Sequence, residues 1–148
     1  MFFFWPQFRI WHFIVILFSI QSVLPLQAQD FMMQGWYWDY PKTADGYNWA
    51  DTIQNKAAEL GAAGFTQLWL PPLSRASFGS SSNGYDVRDL YDLGEYGLGA
   101  TGFGTRNQVD ALVSSCASNG IDVVADVVYN HRDGGSPEDN PAVQGWIE

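Results

Sequence analysis

From Asp30 onward the chain alternates short apolar runs with stretches whose apolar residues recur every three or four positions. Phe31-Met32-Met33-Gln34-Gly35-Trp36-Tyr37-Trp38 predicts a first strand, followed by a turn-rich stretch from Asp39 to Asn48. Ala50 to Leu60 carries Ile53, Ala57 and Leu60 at helical spacing, and Gly61 and Gly64 are expected to end that helix. Phe65-Thr66-Gln67-Leu68-Trp69-Leu70 predicts a second strand, stopped by Pro71-Pro72, which cannot continue a ladder. Thr105 is a good N-cap for a second helix. Val109, Leu112, Val113 and Cys116 then fall at i, i+3, i+4 and i+7, and Gly120 stops the pattern. Ile121 to Val128 is β-branched and nearly continuous, as expected of a parallel strand buried on both faces. The order β-α-β-loop-α-β is the repeating unit of a parallel α/β fold.

Two features of this order bear on chemistry. Pro71 to Gly104 reads as a long irregular segment rich in Ser, Gly and Tyr, and a loop of that length in a compact domain usually has a function. Its Tyr and Leu content argues against disorder. Asp126-Val127-Val128-Tyr129-Asn130-His131 then carries the third strand into an amide and an imidazole. In α/β barrels, loops at that edge of the sheet hold the reacting groups, because the sheet positions them rigidly. Taken alone, Asn130 serves equally well as a turn former and His131 as a structural residue.

Composition narrows the choices. Residues 1–28 contain no acid and one clear cation, Arg9, followed by the apolar run Phe13 to Phe18 and then Pro25-Leu26-Gln27-Ala28. That reads as a secretory signal peptide cleaved after Ala28, with an uncleaved anchor as the alternative. The apolar run is short for a full span and is broken by Ser19, Gln21 and Ser22. Residues 29–148 hold all 16 acids and six of the seven cations. Such a surface repels phosphate backbones, so nucleic acid is not an expected partner. Cys116 is the single cysteine, which excludes an internal disulfide, and its place on an apolar stripe predicts a buried thiol. Trp36, Trp38, Trp49, Trp69 and Trp146 suit either a large core or flat platforms for sugar rings.

Six stretches in order carry a resemblance. They are Met33 to Trp38, Phe65 to Pro72, Asn83-Gly84-Tyr85-Asp86-Val87, Asp89 to Glu95, Phe103-Gly104-Thr105 and Asp126 to His131. Together they resemble the α-amylase family, glycoside hydrolase family 13, in the pattern of secreted bacterial members. The resemblance implies an α/β fold: the N-terminal portion, about three βα units, of a TIM (β/α)8 barrel. An eight-stranded barrel takes about 250 residues, so residues 29–148 are expected to end at the start of a loop domain after the third strand.

The resemblance also implies roles. Asn130 looks like a ligand of a structural calcium, which takes oxygen donors, with the remaining ligands expected downstream. His131 looks like the residue that hydrogen-bonds the sugar at the cleavage point, and Tyr85 like the ring that stacks on that sugar. Asp126 looks like the carboxylate that supports the site. The implied activity is retaining hydrolysis of α-1,4-glucan by a secreted monomer. A transglycosylase, an α-glucosidase of the same family or a non-catalytic carbohydrate-binding relative shares these motifs. The family's three catalytic carboxylates have no counterpart among Asp86, Asp89, Asp92, Glu95, Asp133, Glu138 and Asp139, which read as solvated or loop-capping groups. The chain by itself is therefore expected to be inactive.

Overall fold

The computed structural model describes residues 29–133. Residues 1–28, with the expected signal peptide, and residues 134–148, including Glu138, Asp139 and Trp146, lie outside the described part. Three parallel strands form the main sheet: β1 (Met32–Gln34), β2 (Gln67–Leu70) and, last in the chain, a strand at Asp122–Ala125. Helices α1 (Trp49–Ala62) and α2 (Arg106–Ser118) cross between them, as the sequence order predicts. Between β2 and α2 an antiparallel ribbon is made by β3 (Arg75–Ala76) and β4 (Val87–Asp89), so the final parallel strand is β5. The sheet order is β1-β2-β5.

Local chemistry sets the helix ends. The Asn48 side chain accepts from Asp51 N at 3.2 Å and caps α1. Thr105 caps α2 as predicted, in a reciprocal box where Gln108 Oε1 accepts the Thr105 backbone N–H at 2.9 Å. Gly61 does not end α1, contrary to expectation; the helix runs one residue beyond it. The glycine is needed for another reason: a Cβ there would stand 2.5 Å from the carbonyl oxygen of Asn119, just past α2. The two helices meet at their C-terminal ends through that gap.

Ala50, Ile53 and Ala57 of α1 face Val109, Leu112 and Cys116 of α2, and both helices cover Leu68, Leu70 and Ile121. Leu112 is fully buried, a transfer worth about 1.5–3 kcal/mol for a side chain of this class. Cys116 is also fully buried, which pushes its thiol pKa up, in keeping with an inert thiol.

Two strand expectations need correction. β1 stops at Gln34, because the chain then enters a turn in which Tyr40 N donates to Tyr37 O at 3.0 Å. β5 stops at Ala125 and is not buried on both faces. Val123 packs toward the helices, while Asp122, Val124 and Ala125 are exposed. The reason is that the helices cover only one face, and β5 pairs only with β2 among the described residues.

The segment from Pro71 to Gly104 is more ordered than its composition suggests. Arg75 lies buried on β3 and Nε donates to Asp92 Oδ2 at 2.8 Å, both side chains being under 5% exposed. The other guanidinium nitrogens donate to the carbonyls of Leu98, Gly99 and Ala100. Asp92 is thus no solvated group. Burial pushes its carboxyl pKa upward, but the Arg75 hydrogen bond and the backbone N–H groups of Gly94 and Glu95 outweigh that and hold it below its ordinary value. Gly84 is fixed here by close approach as well, since a Cβ would lie 2.2 Å from the Pro72 carbonyl oxygen.

Removing one partner of a buried ion pair leaves the other uncompensated, so Arg75→Met should destabilise the protein by about 3–5 kcal/mol in urea unfolding. The sign of the pH dependence follows from the lowered Asp92 pKa. The pair's contribution is complete above the ordinary carboxyl value of 3.8 and is lost as pH falls through the lower folded value. A wild-type acid-unfolding midpoint that Arg75→Met leaves in place would contradict this.

Candidate functional site

The C-terminal ends of the parallel strands bring three stretches together. β1 delivers Trp36-Tyr37-Trp38, β5 delivers Asp126 to His131, and the chain before β4 delivers Tyr85. Asp126 follows directly on β5, and its backbone N–H donates to Leu70 O at 3.1 Å, extending the β2–β5 ladder by one bond. This places its carboxylate at the sheet edge, where the Tyr85 hydroxyl donates to Oδ2 at 2.8 Å. Burial, and then the hydrogen bond and charge of Asp126, push the Tyr85 phenol up to about 12. At neutral pH the phenol is therefore the donor and the carboxylate the acceptor.

His131 lies on the same residue from the other side. Its Nε2 is 2.8 Å from the Tyr85 carbonyl oxygen. A carbonyl can only accept, so Nε2 carries a proton and donates. Two of the sequence-predicted residues, Asp126 and His131, thus grip the third, Tyr85, one at the phenol and one at the backbone.

The Tyr85 ring belongs to an aromatic cluster. Trp38 stacks on it with 6.1 Å between centroids and 16° between planes, and Trp36 lies 5.9 Å away at 41°. Trp36 is buried and meets Trp69 edge-on at 5.8 Å. Trp38 is 65% exposed, so the stacked pair presents aromatic surface to solvent. Its position at the site is not evident from the sequence, where Trp36 and Trp38 read as either core or platform. The strand ends at Gln34, and the turn that follows leaves Trp36 buried and turns Trp38 outward.

Asn130 is exposed and joins none of these contacts. It offers one neutral amide oxygen, far short of the 6–8 oxygens a calcium ion takes. Among the described residues no three His, Cys, Asp or Glu side chains are grouped to hold a metal ion. The described residues therefore do not by themselves fit a calcium site. The acidic residues of the preceding segment have other work. Asp86 accepts from Phe78 N at 2.8 Å and from the Ser82 hydroxyl, and Asp89 accepts from Tyr91 N at 2.8 Å. Glu95 accepts from Leu93 N at 2.7 Å. These are loop caps, as the sequence suggests. What the site offers chemically is a flat apolar face edged by a phenol, an imidazole and a carboxylate.

Comparison with known proteins identifies the family. The family profile described as "Alpha amylase, catalytic domain" matches residues 41–136, a span that includes Tyr85, Asp126, Asn130 and His131. A glucan 1,4-alpha-maltohexaosidase of Bacillus sp. (strain 707) is 43% identical over 108 residues, 70% of this chain and 20% of that protein. An alpha-amylase of Bacillus licheniformis is 34% identical over 141 residues, 88% of this chain and 27% of that protein. Among solved structures, an alternansucrase in complex with isomaltononaose is similar with a TM-score of 0.51 at 25% identity, over 66% of this chain and 9% of that one. The chain spans about a fifth to a quarter of the length of the relatives it matches. Its three parallel strands, their crossing helices and the profile match make this chain a member of the α-amylase family, with the α/β architecture of an incomplete TIM barrel.

Proposed function

We propose that the protein to which this chain belongs is a retaining glycoside hydrolase acting on the α-1,4 bonds of starch- or glycogen-type glucan, and that this chain supplies part of its sugar-binding face. The observation that carries the reading is the Tyr85 ring, gripped by Asp126 and His131 at the strand ends and stacked with the exposed Trp38. Tyr85 and Trp38 provide apolar faces for the C–H side of a glucose ring. Asp126 locks the orientation of Tyr85. His131 holds the Tyr85 backbone through Nε2 and stands beside the ring, within reach of a sugar hydroxyl in this reading.

Bond cleavage with retention needs two carboxyl groups about 5–5.5 Å apart across the glycosidic bond. Asp126 is committed to the Tyr85 phenol, so this reading assigns cleavage to carboxylates outside the described residues and leaves the chain on its own inactive. Asn130 is assigned as one ligand of a structural calcium completed by residues outside those described. The acidic balance of the sequence speaks for a neutral polysaccharide over nucleic acid as partner. Export rests on residues 1–28 alone. A relative named cytoplasmic alpha-amylase, from Escherichia coli, is 34% identical over 116 residues. Among the described residues no helix is long and apolar enough to cross a membrane.

Loss of His131 should fall on turnover more than on folding, because its hydrogen bond to Tyr85 is exposed and a sugar hydrogen bond tightens as the ring distorts. In the full-length protein His131→Ala should lower kcat/KM on soluble starch by about 10- to 1000-fold, on the order of 1.4–4 kcal/mol, with Tm little changed. Unchanged activity with a large fall in Tm would make the residue structural. The calcium assignment has its own check by titration calorimetry. The present chain should give no saturable heat with calcium chloride, whereas the full-length protein should bind it and lose thermal stability to a chelator. Tight binding by the present chain would point to ligands other than those assigned.

A further inference from the structure

Lys42 is only 9% exposed although it carries an ammonium group. Its Nζ donates to Tyr40 O at 2.7 Å and to Trp38 O at 3.2 Å, and it stands 3.6 Å from the centroid of the Tyr40 ring. The two carbonyls belong to the turn that Tyr40 N closes onto Tyr37 O, and Trp38 is the first of its central residues. Tyr40 is the fixed end of this arrangement. It is 2% exposed, and its ring packs against Trp36, Trp49 and Phe103. Lys42 is itself held, since its backbone N–H donates to Asp45 Oδ2 at 3.3 Å and the next residue's N–H donates to Gly102 O at 3.2 Å.

Trp38, by contrast, has little to hold it. Its side chain is mostly exposed, and its ring contacts are with Trp36 at 6.5 Å and Tyr85 at 6.1 Å. A stacked ring on a short turn would otherwise lose order to solvent, because its gain from stacking is only about 0.5–1.5 kcal/mol. A single ammonium bonded to carbonyls on either side of the turn removes that freedom and ties the turn to the buried Tyr40.

We propose that Lys42 is a positioning residue of the sugar-binding face: by gripping the Trp38 and Tyr40 carbonyls it sets the turn that lays the Trp38 ring against Tyr85. The proposal rests on the glucan reading for its consequence in binding, but not for its geometry. A lysine that merely fills buried space would change stability and leave the ring where it is.

A double-mutant cycle in the full-length protein separates these cases. Affinity for a non-hydrolysable thio-linked maltotetraose is measured by calorimetry in wild type, Lys42→Met, Trp38→Leu and the double variant, with Lys42→Arg as the conservative control. Lys42→Met and Trp38→Leu should each weaken binding by about 3- to 10-fold. The double variant should be no weaker than Trp38→Leu alone, since Lys42 acts through that ring. Lys42→Arg, which keeps the charge and the donors, should recover most of the loss. Additive losses, or wild-type affinity in Lys42→Met with a lowered Tm, would overturn the proposal. Near-ultraviolet circular dichroism reads the ring without any sugar. The aromatic band removed by Trp38→Leu should also vanish in Lys42→Met. If wild type fails to bind the probe but that band behaves as stated, the glucan reading fails and the positioning stands. A band that survives in Lys42→Met sinks the positioning itself.

Discussion

The buried pairing of Arg75 with Asp92 is the constraint on which the long β2–α2 segment depends. One guanidinium on β3 reaches a carboxylate 17 residues on and three successive carbonyls at Leu98, Gly99 and Ala100. The segment buries Leu73, Ala76, Val87 and Phe103, and a cation with five fixed donors ties its turns together. The desolvation cost of two buried charges is offset only because nearly every donor and lone pair is used. Phe103 then drops into the main core beside Tyr40 and hands the chain on to α2. Tyr85 lies inside the closed span, between β3 and the Arg75 carbonyl contacts. Its position opposite Asp126 is inherited from that closure.

The site itself is organised by unequal exposure. Trp36 and Tyr40 are buried and fixed, whereas Trp38 and His131 are exposed and owe their placement to polar contacts with the backbone. Tyr85 mediates between the two groups. Its ring joins the cluster, its hydroxyl serves Asp126 and its carbonyl serves His131. A phenol held protonated by a neighbouring carboxylate is a directional strut. It can be neither an anion that repels the carboxylate nor a free rotor.

Much of this was legible in the sequence, for identifiable reasons. α2 was read from Thr105 as its N-cap and from Val109, Leu112 and Cys116 on one face, whereas Val113, read on the same stripe, is exposed. The family motifs found Tyr85, Asp126 and His131, which the fold brings together, but periodicity could not have joined residues 41 and 46 positions apart. The ribbon of β3 and β4 was missed because two- and three-residue strands leave no alternation to read. Asp92 was misjudged because a carboxylate's burial depends on a partner far along the chain, here Arg75. Lys42 was overlooked for a like reason. A lysine in a turn-rich stretch looks solvated until its ammonium is seen to face inward.

The meeting of Gly61 with Asn119 lies at the far end of the sheet from the aromatic cluster, yet it acts as a mechanical stop. The helices exit there side by side, so the strands that follow start level: Gln67 pairs with Asp122, and Leu70 then draws level with Ala125. Asp126 is the next residue, and its height above the sheet is counted from that common origin. Because side chains alternate faces, a slip of one residue between β2 and β5 would turn the Asp126 carboxylate away from the Tyr85 phenol. A missing side chain on one helix thus bears on a hydrogen bond at the opposite end of the sheet.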